Sequence, residues 1–113
     1  LTAFDIGSDG SLANRRVWAP TLPRIPDGIC LDASGAVWFA NPMAGECVRI
    51  AEGGEVLEVI ETGQLCFACM LGGDDGKTLF MLTADSSDAH VASEKPTGRI
   101  VTCRVEVGRA GLP

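Results

Sequence analysis

The chain has 113 residues, of which 46% are hydrophobic and 21% charged, and a formal charge of −6. This length and composition predict one folded domain, or a piece of one, and the acidic balance without an arginine stripe argues against a nucleic-acid partner. No apolar run reaches the ~18 residues that a bilayer span needs, and the N-terminus has no signal-peptide pattern. We therefore predict a soluble protein that makes no contact with membranes.

Nine short apolar segments predict β-strands in chain order, because Gly, Pro or Asp-Gly pairs interrupt the sequence before three helical turns can accumulate. Turn clusters such as "GSDGS", "DASG", "AEGG" and "GGDDGK" separate these segments. Short, evenly spaced strands are typical of an all-β fold. The predicted strands lie near residues 1–6, 14–19, 28–32, 36–41, 46–51, 55–60, 65–71, 78–84 and 98–107.

The strand pattern contains an internal repeat. "CLDASGAVWFAN" and "CMLGGDDGKTLFMLT" share the order cysteine, apolar residue, glycine turn and apolar strand, and Gly35 and Gly76 are 41 residues apart (76 − 35). A period of about 40–45 residues with four strands is typical of a β-propeller blade. The chain then holds two to three blades, which cannot close a ring of about four to eight. A start at Leu1 also favours a partial or processed chain, completed by further sequence or by other chains.

Three motifs suggest function but fit structural roles better. "GGDDGKT" has three residues between Gly72 and Gly76, one fewer than a phosphate-binding loop, and its two aspartates would repel phosphate. "SDGSLAN" loses its alternating oxygen ligands at Ala13, so it does not match a calcium loop. His90 is the single histidine and lies in a polar stretch that we predict to be a loop, which disfavours a catalytic triad within this chain.

Five cysteines form an odd set, and most of them lie in strand-like apolar runs, where a thiol behaves as a small hydrophobe. We therefore expect a reducing, cytoplasmic environment. Cys66 and Cys69 have the CxxC spacing, yet positions i and i+3 of a regular strand face opposite sides, so we predict buried strand thiols and neither a zinc site nor a redox pair.

Asp27, in "RIPDGICLDASGAVWFAN", allows two interpretations from the residues alone. Pro26 fixes φ in a turn, Asp27 tolerates the bridge region, and Gly28 closes the turn. Alternatively, the Asp27 carboxylate stands where the chain enters the first strand of a blade, and the inner strands of a propeller face its central channel.

Four segments, "PDGICLDASGAVWFANP", "GECVRIAEGGEVLEVIETG", "FACMLGGDDGKTLFMLTA" and "TGRIVTCRVEVGRAGLP", together resemble the SMP-30/gluconolactonase/luciferin-regenerating-enzyme family. The resemblance covers essentially the whole chain and implies that residues 1–113 are the C-terminal part of a six-bladed β-propeller. It further implies hydrolysis of a sugar lactone or related ester with one divalent cation, Ca²⁺ or Zn²⁺. Asp27 would be a metal ligand and the catalytic base.

The same resemblance sets limits on this chain. The family's other ligands, a Glu and mid-chain Asn residues, have no matching positions and would lie upstream of Leu1, so we expect the isolated chain to be inactive. Phe67 and Ala68 replace residues that are often polar in relatives and predict a more apolar pocket wall, while Asn41 is a rim residue that we do not assign to the metal.

The expected partners are a small lactone and the missing blades, or a second copy through open blade faces. The alternative function is a non-catalytic propeller segment that acts as a binding or structural module, or a calcium-binding protein.

Overall fold

A computed structural model describes residues 1–111 as nine β-strands and one short helix. Each predicted strand is present, with ends within a few residues of the expected ones. The strands are β1 (Thr2–Ile6), β2 (Leu12–Val17), β3 (Ile29–Leu31), β4 (Val37–Asn41), β5 (Glu46–Ile50), β6 (Val56–Glu61), β7 (Leu65–Gly72), β8 (Thr78–Ala84) and β9 (Arg99–Arg104).

The strands form three antiparallel sheets in chain order. The first sheet pairs β1 with β2, the second has the order β3-β4-β5-β6, and the third has the order β7-β8-β9. Within each sheet, strands that are consecutive in the chain are neighbours. Short turns that contain glycine join them, except between β8 and β9, where the longer connection includes the helix. The all-β prediction is thereby confirmed, while the number of blades stays a prediction.

The internal repeat corresponds to equivalent hairpins in the second and third sheets. Gly35 lies in the β3–β4 turn with φ +84°, and Gly76 lies in the β7–β8 turn with φ +72°. Both positions need the left-handed backbone conformation that glycine adopts without a steric penalty. The "GGDDGKT" segment is therefore a hairpin turn, as predicted, and Asp75 within it pairs with Arg104 on β9.

Two buried cores lie on opposite faces of the second sheet. Val37 and Phe39 on β4 pack in one core, which also contains Leu1, Trp18 and Ala19 beside the first sheet. The alternate residues Trp38 and Ala40 pack in the other core against the third sheet. Because a strand presents successive side chains to opposite faces, a strand buried on both sides reads as a continuous apolar run. This geometry explains the "VWFA" sequence of β4.

The one deviation from the predicted elements is helix α1 (Ala89–Glu94), in the stretch that we predicted to be a loop. The Asp88 side chain caps this helix by accepting hydrogen bonds from the N–H groups of His90 and Val91. Six exposed residues are too few to show helical periodicity, so the loop prediction was wrong for a physical reason. In the part of the chain that the structure describes, no helix has the length and apolarity needed to cross a membrane.

Candidate functional site

Asp27 lies two residues before the start of β3, at the end of the second sheet where β4 finishes. Its backbone N–H donates to the carbonyl oxygen of Ala40 at 2.9 Å, which fixes the position of the residue. Its side chain is exposed, and within residues 1–111 the carboxylate takes part in no hydrogen bond or ion pair. The backbone is therefore held while the carboxylate remains available to a ligand.

Gly28 brings the first strands of the second and third sheets together. Its N–H donates to the carbonyl oxygen of Phe67 at 3.0 Å, and a Cβ at this position would lie 2.7 Å from the Cα of Ala68. Gly28 is not among the described glycines with positive φ. The glycine of Pro-Asp-Gly is thus required by the close approach of two backbones, and not by the turn conformation that sequence reasoning assigned to it.

Asn41 holds the segment that leads to Asp27. It is only 2% exposed, its Oδ1 accepts from the N–H of Ile25 at 3.3 Å, and its Nδ2 donates to Oε1 of Glu46 at 2.8 Å. The same Glu46 oxygen accepts from Nε of Arg24 at 2.8 Å. Both ends of the amide are occupied within the protein, so Asn41 positions the loop.

Glu46 and Arg24 are site residues that sequence reasoning missed, because nothing local links them to Asp27. Glu46 lies opposite Glu61 across β5 and β6, at the edge of the second sheet that also carries Asp27 and Asn41. A cavity of about 670 Å³ includes these two glutamates and Asp85 among its lining residues. This edge of the sheet is therefore acidic.

The predicted apolar wall beside Asp27 divides into two parts. Ala68 contacts Gly28, next to the candidate carboxylate. Phe67 lines a separate groove of about 310 Å³ together with Leu82 and Ile100, and Asp27 does not contribute to that groove. Both residues contact the Asp27 segment at Gly28, Phe67 through its backbone carbonyl, and Phe67 also lines the separate groove.

The Cys66–Cys69 pair differs from the prediction in its geometry. A β-bulge interrupts the β7–β8 register between Cys66 and Ala68, so that one additional residue lies between the two cysteines. Both thiols consequently face the same core, where Cys66 is 0% and Cys69 is 4% exposed. The expectation that they point to opposite faces was wrong, because it assumed a regular strand.

Cys30 and Cys47 complete this thiol cluster from the second sheet. A hydrogen bond to Cys69, together with burial, raises the pKa of Cys30. Hydrogen bonds to Cys66 and Cys69, together with burial, raise the pKa of Cys47. Hydrogen bonds from Cys30 and Cys47 lower the pKa of Cys69. The four thiols therefore share one buried core.

A second buried network lies in the β3–β4 turn. Asp32 is fully buried, and its Oδ1 accepts from the N–H groups of Ser34 and Ala36, while its Oδ2 accepts from Nε of Arg49 at 2.7 Å. Burial acts to raise the pKa of Asp32, but the hydrogen bonds from Ser34 and Arg49 outweigh it, and the net shift is downward. Both carboxylate oxygens of Asp32 have hydrogen-bond partners within the chain, so the role of this residue is to hold the β3–β4 hairpin.

Residues 1–111 do not contain a complete set of metal ligands. Across residues 1–111, no group of three or more His, Cys, Asp or Glu side chains is arranged to hold a metal ion. His90 lies on the exposed helix α1. Asp27 is thus an isolated candidate ligand.

Comparison with known proteins connects this site to a family. The sequence model described as the SMP-30/Gluconolactonase/LRE-like region matches residues 1–85. The chain belongs to this family. Within it, regucalcin from Danio rerio is 30% identical and regucalcin from Oryctolagus cuniculus 28% identical over 119 aligned positions, which take in the whole of this chain. The chain spans 40% of the length of each of these two relatives.

Two solved structures have the same fold as this SMP-30/gluconolactonase-like chain. A luciferin-regenerating enzyme superposes with a TM-score of 0.74 at 19% identity, covering 96% of this chain and 38% of that enzyme. A regucalcin from Agrobacterium tumefaciens, described as a calcium-binding protein, gives a TM-score of 0.74 at 18% identity over 96% of this chain and 39% of its own. The three sheets therefore adopt the arrangement found in part of these larger proteins.

Proposed function

We propose that this SMP-30/gluconolactonase-like chain is the C-terminal portion, about two to three blades, of a six-bladed propeller that hydrolyses a sugar lactone or related ester. Family membership and the coverage of 40% of the regucalcin relatives support this proposal. The sheets of two, four and three strands also fit one four-stranded blade flanked by two incomplete ones.

The observation that carries the proposal is the exposed carboxylate of Asp27 on a fixed backbone. The Asp27 N–H is bonded to Ala40, Gly28 presses against Ala68, and Asn41 holds the preceding loop. Packing and hydrogen bonds therefore restrict the backbone on both sides of a carboxylate that has no internal partner. Functional groups are expected on such rigidly supported positions at the edge of a sheet.

We propose that the complete propeller binds one divalent cation, Ca²⁺ or Zn²⁺, with Asp27 as one of its ligands. Ca²⁺ takes about six to eight oxygen ligands and Zn²⁺ about four ligands, so Asp27 alone is insufficient and the other ligands would come from outside the described residues. When bound, such a cation polarises an ester carbonyl and acidifies water. The Asp27 carboxylate would orient the lactone or accept a proton from the attacking water.

The missing blades are the proposed partners of this chain besides the small lactone. Ile6, Leu12 and Val17 on the first sheet and Leu82 and Ile100 on the third sheet are exposed apolar side chains. Large exposed apolar surfaces favour association, so the isolated chain would either join the missing blades or self-associate. A cytoplasmic location is proposed because five thiols favour a reducing compartment.

The alternative function is a calcium-binding or non-catalytic module. The regucalcin relatives and the solved calcium-binding regucalcin favour it. In that case Asp27 would contribute to cation binding without any turnover of lactone.

The test compares hydrolysis of a panel of sugar lactones and calorimetric binding of Ca²⁺ and Zn²⁺ in the complete propeller, in Asp27→Asn and in Asp74→Asn. Asp74 is a matched control, since it is exposed in the β7–β8 turn and makes no described side-chain contact. We expect Asp27→Asn to lose both properties and Asp74→Asn to keep them. If the unsubstituted propeller binds the cation but hydrolyses no lactone, the alternative function as a calcium-binding module is supported. If Asp27→Asn keeps both hydrolysis and cation binding, the assignment of Asp27 to the site is refuted. Activity of the isolated 113-residue chain would contradict its proposed incompleteness.

A further inference from the structure

The core between the second and third sheets contains four cysteines. Cys30 comes from β3, Cys47 from β5, and Cys66 and Cys69 from β7, and none is more than 8% exposed. The fifth, Cys103, lies on β9 at the margin of this core. Cysteine side chains from two different sheets thus lie in the same core.

Cys30 lies on β3 and Cys69 on β7, the first strands of the two sheets. Sγ of Cys69 donates to the carbonyl oxygen of Gly28 at 3.5 Å, two residues before Cys30, and the side chains of Cys30 and Cys69 lie in the same buried core. The backbones of β3 and β7 approach closely here, as the contact between Gly28 and Ala68 shows. Close backbones with facing thiols are the geometric requirement for a disulfide.

A surface groove leads to one member of this pair. It has a volume of about 340 Å³, and Cys30, Leu31, Met70, Leu71 and Arg109 contribute to its wall. Cys30 is 8% exposed at this wall, whereas Cys47 and Cys66 are completely buried. A small neutral oxidant that enters the groove would therefore reach the Cys30–Cys69 pair before the other two thiols.

We propose that Cys30 and Cys69 are a peroxide-sensitive thiol pair whose disulfide covalently joins the second and third sheets. One thiol reacts with a hydroperoxide to give a sulfenic acid, releasing water when the oxidant is hydrogen peroxide. The other thiol then attacks the sulfenic sulfur, forming the S–S bond and releasing a second water molecule. The two sulfur atoms lose two electrons in total, the peroxide gains them, and a dithiol reductant reverses the change. This modification is independent of the proposed lactone chemistry.

The experiment treats the purified, reduced protein with hydrogen peroxide, blocks the remaining thiols under denaturing conditions and maps the cross-link without reduction. Trypsin cuts after Arg24, Arg49 and Lys77, which places Cys30 on the peptide 25–49 and Cys69 on the peptide 50–77. We expect these two peptides to be joined, with two thiols of the five lost and with recovery after dithiothreitol.

Serine variants identify the residues within the joined peptides. Cys47→Ser removes the other cysteine of peptide 25–49 and should keep the cross-link, whereas Cys30→Ser and Cys69→Ser should abolish it. Cys103→Ser is the matched control outside the pair and should behave as the parent. Five free thiols after treatment, or a cross-link that survives Cys30→Ser, would overturn the proposal. Because the cross-link is mapped first in the unsubstituted protein, a variant that fails to fold does not affect that result.

Discussion

Gly28 lies so close to Ala68 that a Cβ on residue 28 would be 2.7 Å from the Ala68 Cα. This contact joins β3 to β7 directly beside the candidate carboxylate of Asp27. A glycine that sequence reasoning reads as part of a turn therefore sets the distance between two sheets.

Gly28→Ala is expected to destabilise the protein by about 1–3 kcal/mol, because the added methyl group forces two backbones apart. Urea unfolding followed by circular dichroism measures this change. Gly98→Ala is the matched control, since its Cβ would meet no atom within 4 Å and its φ is not positive. Equal stability of the two variants would show that the contact with Ala68 is not restrictive.

Arg49→Met is expected to cost about 3–5 kcal/mol at pH 7, because it leaves the buried Asp32 carboxylate without its charged partner. The exposed pair of Arg16 and Asp5 provides the control, and Arg16→Met should cost less than about 1 kcal/mol. Chemical denaturation at neutral pH measures both variants.

The contribution of Asp32 to stability also has a defined pH dependence. Its pKa is lower in the folded chain than the ordinary value of about 3.9, so the unfolded chain takes up a proton first. The stabilisation is complete above that ordinary pKa and is lost as the pH falls through the lower, folded-state pKa. The stability difference between the parent and Arg49→Met should therefore narrow below about pH 4. A difference that stays constant from pH 7 to pH 3 would be inconsistent with this assignment.

Asn41→Ala is expected to destabilise the protein by about 1–3 kcal/mol, since it removes a buried amide that bonds Ile25 and Glu46. It should also weaken cation binding in the complete propeller by releasing the loop that carries Asp27. Asn14→Gly serves as a control, because it removes an exposed hydrogen bond to Asp5 at a φ of +50° that glycine tolerates. If cation affinity is unaffected in Asn41→Ala, the loop is held by other contacts.

Asp88→Ala is expected to loosen helix α1 without changing global stability by more than about 0.5 kcal/mol, because the helix is exposed throughout. Hydrogen exchange at the amides of His90 and Val91 should accelerate, since Asp88 is their acceptor. Ser93→Ala removes a bond to the His90 carbonyl and should leave these two amides protected. Slow exchange in Asp88→Ala would argue against the cap.

The strands could be predicted from the sequence because each is a short apolar run between turn residues, and both signals are local. The β-bulge at Phe67 could not be predicted, since it depends on how β7 pairs with β8. For the site, the sequence and the family resemblance single out Asp27, but the contacts that support it join residues distant in the chain. Gly28 meets Ala68 forty residues later (68 − 28), and Arg24 meets Glu46 across two strands. Local patterns contain no information about such pairs.

The strand β4 contributes alternate side chains to both cores of the molecule, with Val37 and Phe39 on one side and Trp38 and Ala40 on the other. Because β4 belongs to both cores, a loss of packing in one core displaces β4 and so disrupts the other core. The second and third sheets and the segment around Trp18 are thereby energetically coupled, and they should unfold in a single cooperative transition. The strand with the least exposed surface thus makes one folding unit out of separate sheets.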